Sequence, residues 1–305
     1  MSPPGQRARA DLALLGVTVL WGATFVVVKA ALADITPFLF LASRFTLAAV
    51  VLWAIFRKPV RNAMASAPGV WKAGMLAGTV LFVAFVFQTE GLRLTTPSKS
   101  AFLNGLSVPM VPLASSLVYR IRPRKFEVAG ILIASFGMAL MTLPAGRFGM
   151  STGDVLSLLC AVAFALHIVV VGHFSPILGF ETLAVTQVTV AAAWGLLSAC
   201  LFDVPVHIHA TPALGMAVLA AGLLATALAF TTMAWAQQYT TPTRAALIMA
   251  LEPAAAWLSS WMVTGEVLSN RGKIGASLIL AGVLLVEVRV GKDQLRVGKR
   301  ENLQV

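Results

Sequence analysis

Trp21-Gly22-Ala23-Thr24-Phe25-Val26-Val27-Val28 returns 143 residues later as Phe164-Ala165-Leu166-His167-Ile168-Val169-Val170-Val171. Other pairs keep nearly the same spacing. Arg44 falls on Gln187, Thr95-Thr96-Pro97 on Thr240-Thr241-Pro242, Gly130 and Gly137 on Gly275 and Gly282, and Pro109 within one residue of Pro253. Self-similarity at a fixed offset marks two copies of one unit. Both copies are strongly apolar: of 305 residues 58% are hydrophobic and 11% charged, with a mean hydropathy of +0.86. An average soluble domain carries about 25% charge. The apolar residues fall in runs of about twenty, the length that carries a helix across a hydrocarbon core of roughly 30 Å. This excludes a soluble globule and predicts a polytopic, all-α membrane protein.

Length and helix breakers predict ten spans, at 11–33, 37–56, 70–92, 97–119, 126–143, 153–173, 181–202, 212–236, 242–264 and 272–290. Proline opens or borders most of them, at Pro37, Pro97, Pro123, Pro176, Pro212 and Pro242, as suits a first helical turn. Residues 11–143 then form a first five-helix repeat, 153–290 a second, and 291–305 a cytoplasmic tail. An odd number of spans per copy makes the second copy enter the bilayer from the opposite side. The repeats are therefore expected to be inverted around a central cavity, the architecture of alternating-access transporters. The competing reading is a gene duplication without exchange of states.

Arg7, Arg9, the apolar stretch and Ala31-Leu32-Ala33 imitate a cleavable signal peptide. The length of the span and its echo at residues 164–171 argue for retention. With ten spans and an internal N-terminus, sixteen Lys and Arg residues fall on the N-terminal side and six on the other, with Arg44 inside a span. Positive charge collects on the cytoplasmic side, so both termini are placed there. The net charge of +11 is accordingly an orientation signal, not a nucleic-acid footprint. Cys160 and Cys200 both lie in apolar runs and offer neither a disulfide framework nor a zinc site. No phosphate-binding G-x-x-x-x-G-K-[ST], H-E-x-x-H or G-x-S-x-G occurs, so no enzyme, cofactor or metal is expected.

Polar groups inside a span cost a few kcal/mol and are site candidates by default. His167, with Cys160, Phe164 and Val171 on its face and Thr24 as its repeat mate, is either a cavity-lining imidazole able to carry a proton or a neutral histidine bonded to a neighbouring helix. Arg44, mated with Gln187, is either a carboxylate anchor or a side chain reaching for the interface. Gln88, Asn104 and Ser107 are further polar candidates, whereas Glu90 fits an interfacial carboxylate beside Arg93. Pro109, Pro112 and Pro253 remove backbone hydrogen bonds and are expected to kink spans four and nine, as gates or simply as bundle geometry. Beside Pro253, a buried Glu252 calls for a counter-charge or a proton, and closes a half-helix or couples transport to protons. Trp21, Phe85, Phe164, Trp235 and Trp257 are candidate stacking platforms, Trp257 foremost because it lies well inside a span. Gly74 and Gly78 make a small-residue face suited to close helix packing.

Trp21-Gly22-x-Thr24-Phe25-x-x-x-Lys29, Pro37 and Ser43-Arg44-Phe45 resemble the first repeat of the EamA-type transporters. Leu251-Glu252-Pro253, Gly265-Glu266 and the Gly275…Gly282 helix resemble the close of the second. The resemblance runs over nearly the whole chain. It implies the ten-helix plan of the drug/metabolite transporter superfamily and export of amino acids or related metabolites, closest to bacterial exporters of aromatic amino acids in the inner membrane. One departure stands in the first repeat, where Arg120-Ile121-Arg122 replaces the family's Gly-Glu. The expected partners are a small-molecule substrate and the lipid bilayer, with no nucleic acid, in a monomer or weak homodimer. A nucleotide-sugar or phosphate-ester carrier, an organic-cation drug carrier and a non-transporting membrane scaffold remain the alternatives.

Overall fold

The computed structural model of the chain describes residues 4–66, 69–95, 100, 103–120, 123–142, 151–255, 257–258 and 269–301. Helices account for nearly all of them: α1 (Pro4–Ala31), α2 (Pro37–Ser66), α3 (Val70–Leu94), α4 (Leu103–Tyr119), α5 (Lys125–Thr142), α6 (Thr152–Leu178), α7 (Phe180–Phe202), α8 (Pro212–Ala236), α9 (Pro242–Met249) and α10 (Asn270–Glu301). Among the described residues, α1 from Gly5, α2 to Ala65, α3, α6, α7 and α8 are long and apolar enough to cross a membrane, and α4 is a shorter apolar helix. Three of the other expected spans, 97–119, 126–143 and 242–264, include residues outside those described, and the fourth, 272–290, lies inside α10.

Several helices outrun their apolar runs. Helix α1 starts at Pro4 rather than at residue 11, and α10 stays helical to Glu301 where a tail was expected from residue 291. Lys, Arg, Gln and Glu are good helix formers, so hydrogen bonding carries on after hydropathy has fallen. Helix α2 passes residue 56 and ends at Ser66; the Pro59 ring displaces the backbone around Phe56 (φ −108°, ψ 15°) without ending the helix. Helix α8 carries a π-helical stretch, Ala220–Leu228, between two α-helical pieces.

The burial pattern is that of a protein in lipid. Leu12, Val50, Leu113, Leu117 and Leu132 are exposed on the outer surface, while Arg44, Asp154, His167, Gln187 and Thr226 are buried. Inside, Phe45, Leu81, Phe85, Leu183, Phe230 and Met233 form one core shared by α2, α3, α7 and α8. Val108, Ile131, Met138, Leu247, Ile279 and Val283 form a second core between α4, α5, α9 and α10.

Small residues set the closest crossings. A Cβ placed on Gly130 would come 2.7 Å from the Gly282 carbonyl oxygen, and one on Gly282 would come 2.5 Å from that of Gly130. Farther along the same two helices a Cβ on Gly137 would come 2.6 Å from the Gly275 carbonyl oxygen. Residue numbers rise along α5 as they fall along α10, so the two run antiparallel. Gly74 and Gly78 of α3 lie against Thr186, Gln187 and Val190 of α7, the close packing expected of that face.

Candidate functional site

Two helices are broken at matched places. In α4 the helix lets go at Leu106 and restarts at Ser107; after α9 it lets go at Ala250 and Leu251 and restarts at Glu252. Leu106 and Leu251 stand 145 residues apart, the spacing that relates Gly130 to Gly275. The prolines were expected to kink these two spans, and each break precedes its proline, Pro109 or Pro253, by two or three residues. A proline ring clashes with the carbonyl four residues back, which is Gly105 for Pro109 and Met249 for Pro253. The strain is released between that carbonyl and the ring.

Both breaks open on one cavity, enclosing about 1080 Å³ of non-atom space with its mouth included. Helix α1 supplies Trp21, Thr24 and Val28, α2 Arg44, α3 Phe85, Gln88, Thr89 and Leu92, and α4 Asn104, Gly105, Ser107 and Val108. From the second half come Phe164, His167 and Ile168 of α6, Ala225, Phe230 and Met233 of α8, and Met249, Glu252 and Pro253 around the second break. Eight of the ten cavity candidates thus meet in one lining, as do both coupling candidates. Gln187 lies behind it and holds His167. Trp257 does not line the cavity, nor do Pro109 and Pro112.

The walls are aromatic. Trp21 packs on Phe230 at 5.3 Å between ring centroids, Phe164 on Phe85 at 5.4 Å, and Phe85 meets Phe230 edge-on at 5.9 Å. Sequence reasoning singled out Phe85 and missed Phe230, although Phe230 is its counterpart 145 residues on. Arg44 is 4% exposed and its guanidinium lies 4.3 Å from the Phe85 ring centroid. Nε and Nη2 donate to Thr226 Oγ1 at 3.1 and 2.9 Å, and Nη2 reaches the Ala221 carbonyl at 3.5 Å. The side chain therefore turns inward, and the interfacial reading of Arg44 is set aside. Trp21 Nε1 donates to the Ala225 carbonyl at 3.0 Å, a second use of the π-helical stretch as an acceptor.

His167, fully buried, shares a 2.9 Å hydrogen bond between Nε2 and Gln187 Oε1. Its Nδ1, the Gln187 amide nitrogen and both amide atoms of Asn104 are buried without a hydrogen-bond partner among the described residues. Buried polar atoms without partners are uncommon and costly, and those of Asn104 and His167 belong to residues that line the cavity. Glu252 has no hydrogen bond or ion pair among the described residues. Glu90, by contrast, pairs with Arg93 at 2.9 Å away from the cavity.

The cavity lies toward the end of the bundle that holds Val28 and Leu92. At the opposite end Arg244 Nη2 meets Asp11 Oδ2 at 2.7 Å, joining α9 to α1. Close by, Ser175 Oγ donates to the Ala234 carbonyl, Gln238 Nε2 to the Ser175 carbonyl at 2.9 Å, and Tyr119 to the Val169 carbonyl at 3.2 Å. Among the described residues no group of three His, Cys, Asp or Glu could hold a metal ion. Gly265 and Glu266, named for the resemblance, lie outside the described residues.

Known proteins place this arrangement. A solved crystal structure superposes with a TM-score of 0.75 at 23% identity, covering 93% of this chain and 98% of that one, and so shares its fold. An uncharacterized transporter of Archaeoglobus fulgidus is 32% identical over 291 residues, covering 93% of this chain and 88% of that protein. The uncharacterized transporter YdfC of Bacillus subtilis is 23% identical over 284 residues, 90% of this chain and 89% of its own length. The model of the EamA-like transporter family matches residues 8–143 and again residues 151–288. A match that takes in nearly all of the chain assigns it: the protein belongs to the EamA-like transporter family and is a multi-pass membrane transporter.

Proposed function

We propose that the chain is an alternating-access secondary transporter built of two inverted five-helix halves, residues 11–143 and 153–290, that exports small amphipathic metabolites. Amino acids, aromatic ones included, are the substrate class, and the membrane is the bacterial inner membrane with both termini cytoplasmic. The observation that carries this reading is the pair of matched breaks at Leu106 and Leu251 opening on one cavity. Discontinuous helices facing each other across a repeat interface are where transporters of inverted design bind substrate.

The chemistry of the lining supports the substrate class. A zwitterion brings one carboxylate, one ammonium and an apolar or aromatic side chain. Arg44 suits the first, Glu252 the second, and Trp21, Phe85, Phe164 and Phe230 the third, with Asn104 and Gln88 as hydrogen-bond partners. In the orientation given by the Lys and Arg bias, the cavity opens outward and the Asp11–Arg244 pair closes the cytoplasmic end. Transport then swings the broken helices α4 and α9, with α3 and α8, to expose the same groups to the cytoplasm. Glu252 is the proton-coupling group of this reading, because His167 is held by Gln187 while Glu252 lines the cavity without a hydrogen-bond or ion-pair partner among the described residues. The protein works as a monomer or weak homodimer.

A phosphate-ester or nucleotide-sugar carrier would need several cations, and Arg44 is the one Lys or Arg among the described residues lining the cavity. That same charge opposes an organic-cation substrate. The test is uptake of a panel of labelled amino acids by proteoliposomes, with and without a pH gradient, beside empty vesicles. Saturable uptake of a subset is the expected result. Uptake of phosphorylated compounds in place of amino acids overturns the substrate class, and a cysteine at Thr24 inert to water-soluble thiol reagents favours a scaffold over a carrier.

A further inference from the structure

We infer that Thr226 is a positioning residue that presets Arg44 as a carboxylate receptor, so that the protein selects substrates by their carboxylate; this rests on the transport reading above. A buried guanidinium is costly, and the common remedy is a neighbouring Asp or Glu. Arg44 has none among the described residues. It is held by a hydroxyl instead. Thr226 Oγ1 accepts from Nε and Nη2 of Arg44 and donates to the Ala221 carbonyl at 2.7 Å, so its one donor and two acceptor positions are all used. Such a partner fixes the side chain without neutralising it, which a carboxylate would do.

The winding of the backbone matches this arrangement. Ala221 lies five residues before Thr226, and both belong to the stretch Ala220–Leu228 wound as π-helix. Widened turns of this kind are rare and recur at functional sites. The position matched to Thr226 in α3, 145 residues earlier, is Leu81, in an unbroken α-helix. The device is therefore present in one half. The Phe85 ring packs against the guanidinium as well, 4.3 Å from ring centroid to Cζ. Nη1 makes no hydrogen bond among the described residues, and its two N–H groups remain for a ligand in a cavity that Arg44 lines.

The test uses the full chain in proteoliposomes, with labelled L-phenylalanine as probe and unlabelled L-phenylalanine or L-phenylalaninamide as competitor. In the wild type the amide is expected to compete at least about tenfold less well, the difference that a hydrogen-bonded charge pair makes. Thr226→Val keeps the shape of the side chain and removes the hydroxyl. It should raise KM for phenylalanine about tenfold, leave kcat within about twofold, and shrink the acid-to-amide discrimination to about threefold or less. Thr226→Ser restores both values, which a role confined to joining α2 and α8 does not predict. Equal competition by acid and amide in the wild type overturns the inference without any variant, as does Thr226→Val with KM and discrimination unchanged. Wild-type protein that takes up no carboxylate-bearing compound removes the proposed function and this inference together, whereas equal competition removes only the inference.

Discussion

The cavity has two sides made from matched positions, and they agree in their aromatic groups and differ in their polar ones. Trp21 against Phe230 and Phe164 against Phe85 are the same contact made twice, at 5.3 and 5.4 Å. Arg44 and Gln187 occupy equivalent places, yet the first is a charge held by Thr226 and the second a neutral amide bonded to His167. The aromatic frame therefore belongs to the shared architecture, while the polar groups set a guanidinium on one side of the cavity and an imidazole with the Glu252 carboxyl on the other. A substrate with distinct ends has one way to lie across it.

The largest expected effect comes from erasing that difference. Arg44→Gln gives both halves an amide, and kcat/KM for carboxylate-bearing substrates should fall about a hundredfold, at the upper end of what a charged hydrogen bond contributes. Uptake that survives this change would place carboxylate recognition elsewhere. Next, Glu252→Gln should abolish the stimulation of uptake by a pH gradient and lower gradient-driven initial rates about tenfold, as expected for an intramembrane carboxyl that carries the coupling. His167→Ala should leave the gradient response in place; its loss would shift coupling from Glu252 to the imidazole.

A third comparison concerns Asp11 and its counterpart 143 residues on, Asp154. Asp11 pairs with Arg244, whereas Asp154 takes part in the cap of α6 with Ser151 and accepts from Thr95 Oγ1 at 2.6 Å. If the first pair holds one end of the bundle shut, Asp11→Asn should speed the reaction of an impermeant thiol reagent with Gln237→Cys about fivefold, in a Cys200→Ser background. A fivefold change corresponds to a shift of about 1 kcal/mol in such an equilibrium. Unchanged labelling rates would make the pair a structural tie. The smallest effect tests the shared frame: Phe85→Leu and Phe230→Leu should each cost about 1 kcal/mol in thermal unfolding, and less than the sum when combined, since the two rings touch.

Much of this site was legible as soon as the chain was laid against itself. The offset that pairs Thr24 with His167 and Arg44 with Gln187 works because helices of equal length place matched residues at matched depth. Thr226 escaped the same reading for a physical reason. Its counterpart is Leu81, so nothing polar echoes it, and hydropathy does not register one widened turn within an apolar helix. Trp257 was favoured for its depth in a span, but depth says nothing about which face of a helix meets the cavity. Proline is the visible letter, but the chain yields between the ring and the carbonyl it strikes, at Leu106 and at Ala250 and Leu251, residues that on their own favour helix. Helix ends such as Ser66 and Glu301 were missed because a hydropathy profile marks where the hydrocarbon ends, whereas the backbone keeps to its own hydrogen bonds.

The glycine crossing of α5 and α10 has a consequence for how such a chain could arise. Gly130 touches Gly282 as Gly275 touches Gly137, and exchanging the two helices leaves the contact unchanged. This is the property of an isologous interface, the kind that two identical subunits form about a twofold axis. A half-length polypeptide bearing that glycine face would be self-complementary before any fusion joined it to a second copy. The join between the halves would then be older than the linker that now spans it, and divergence at Arg44 and Thr226 could follow without disturbing it.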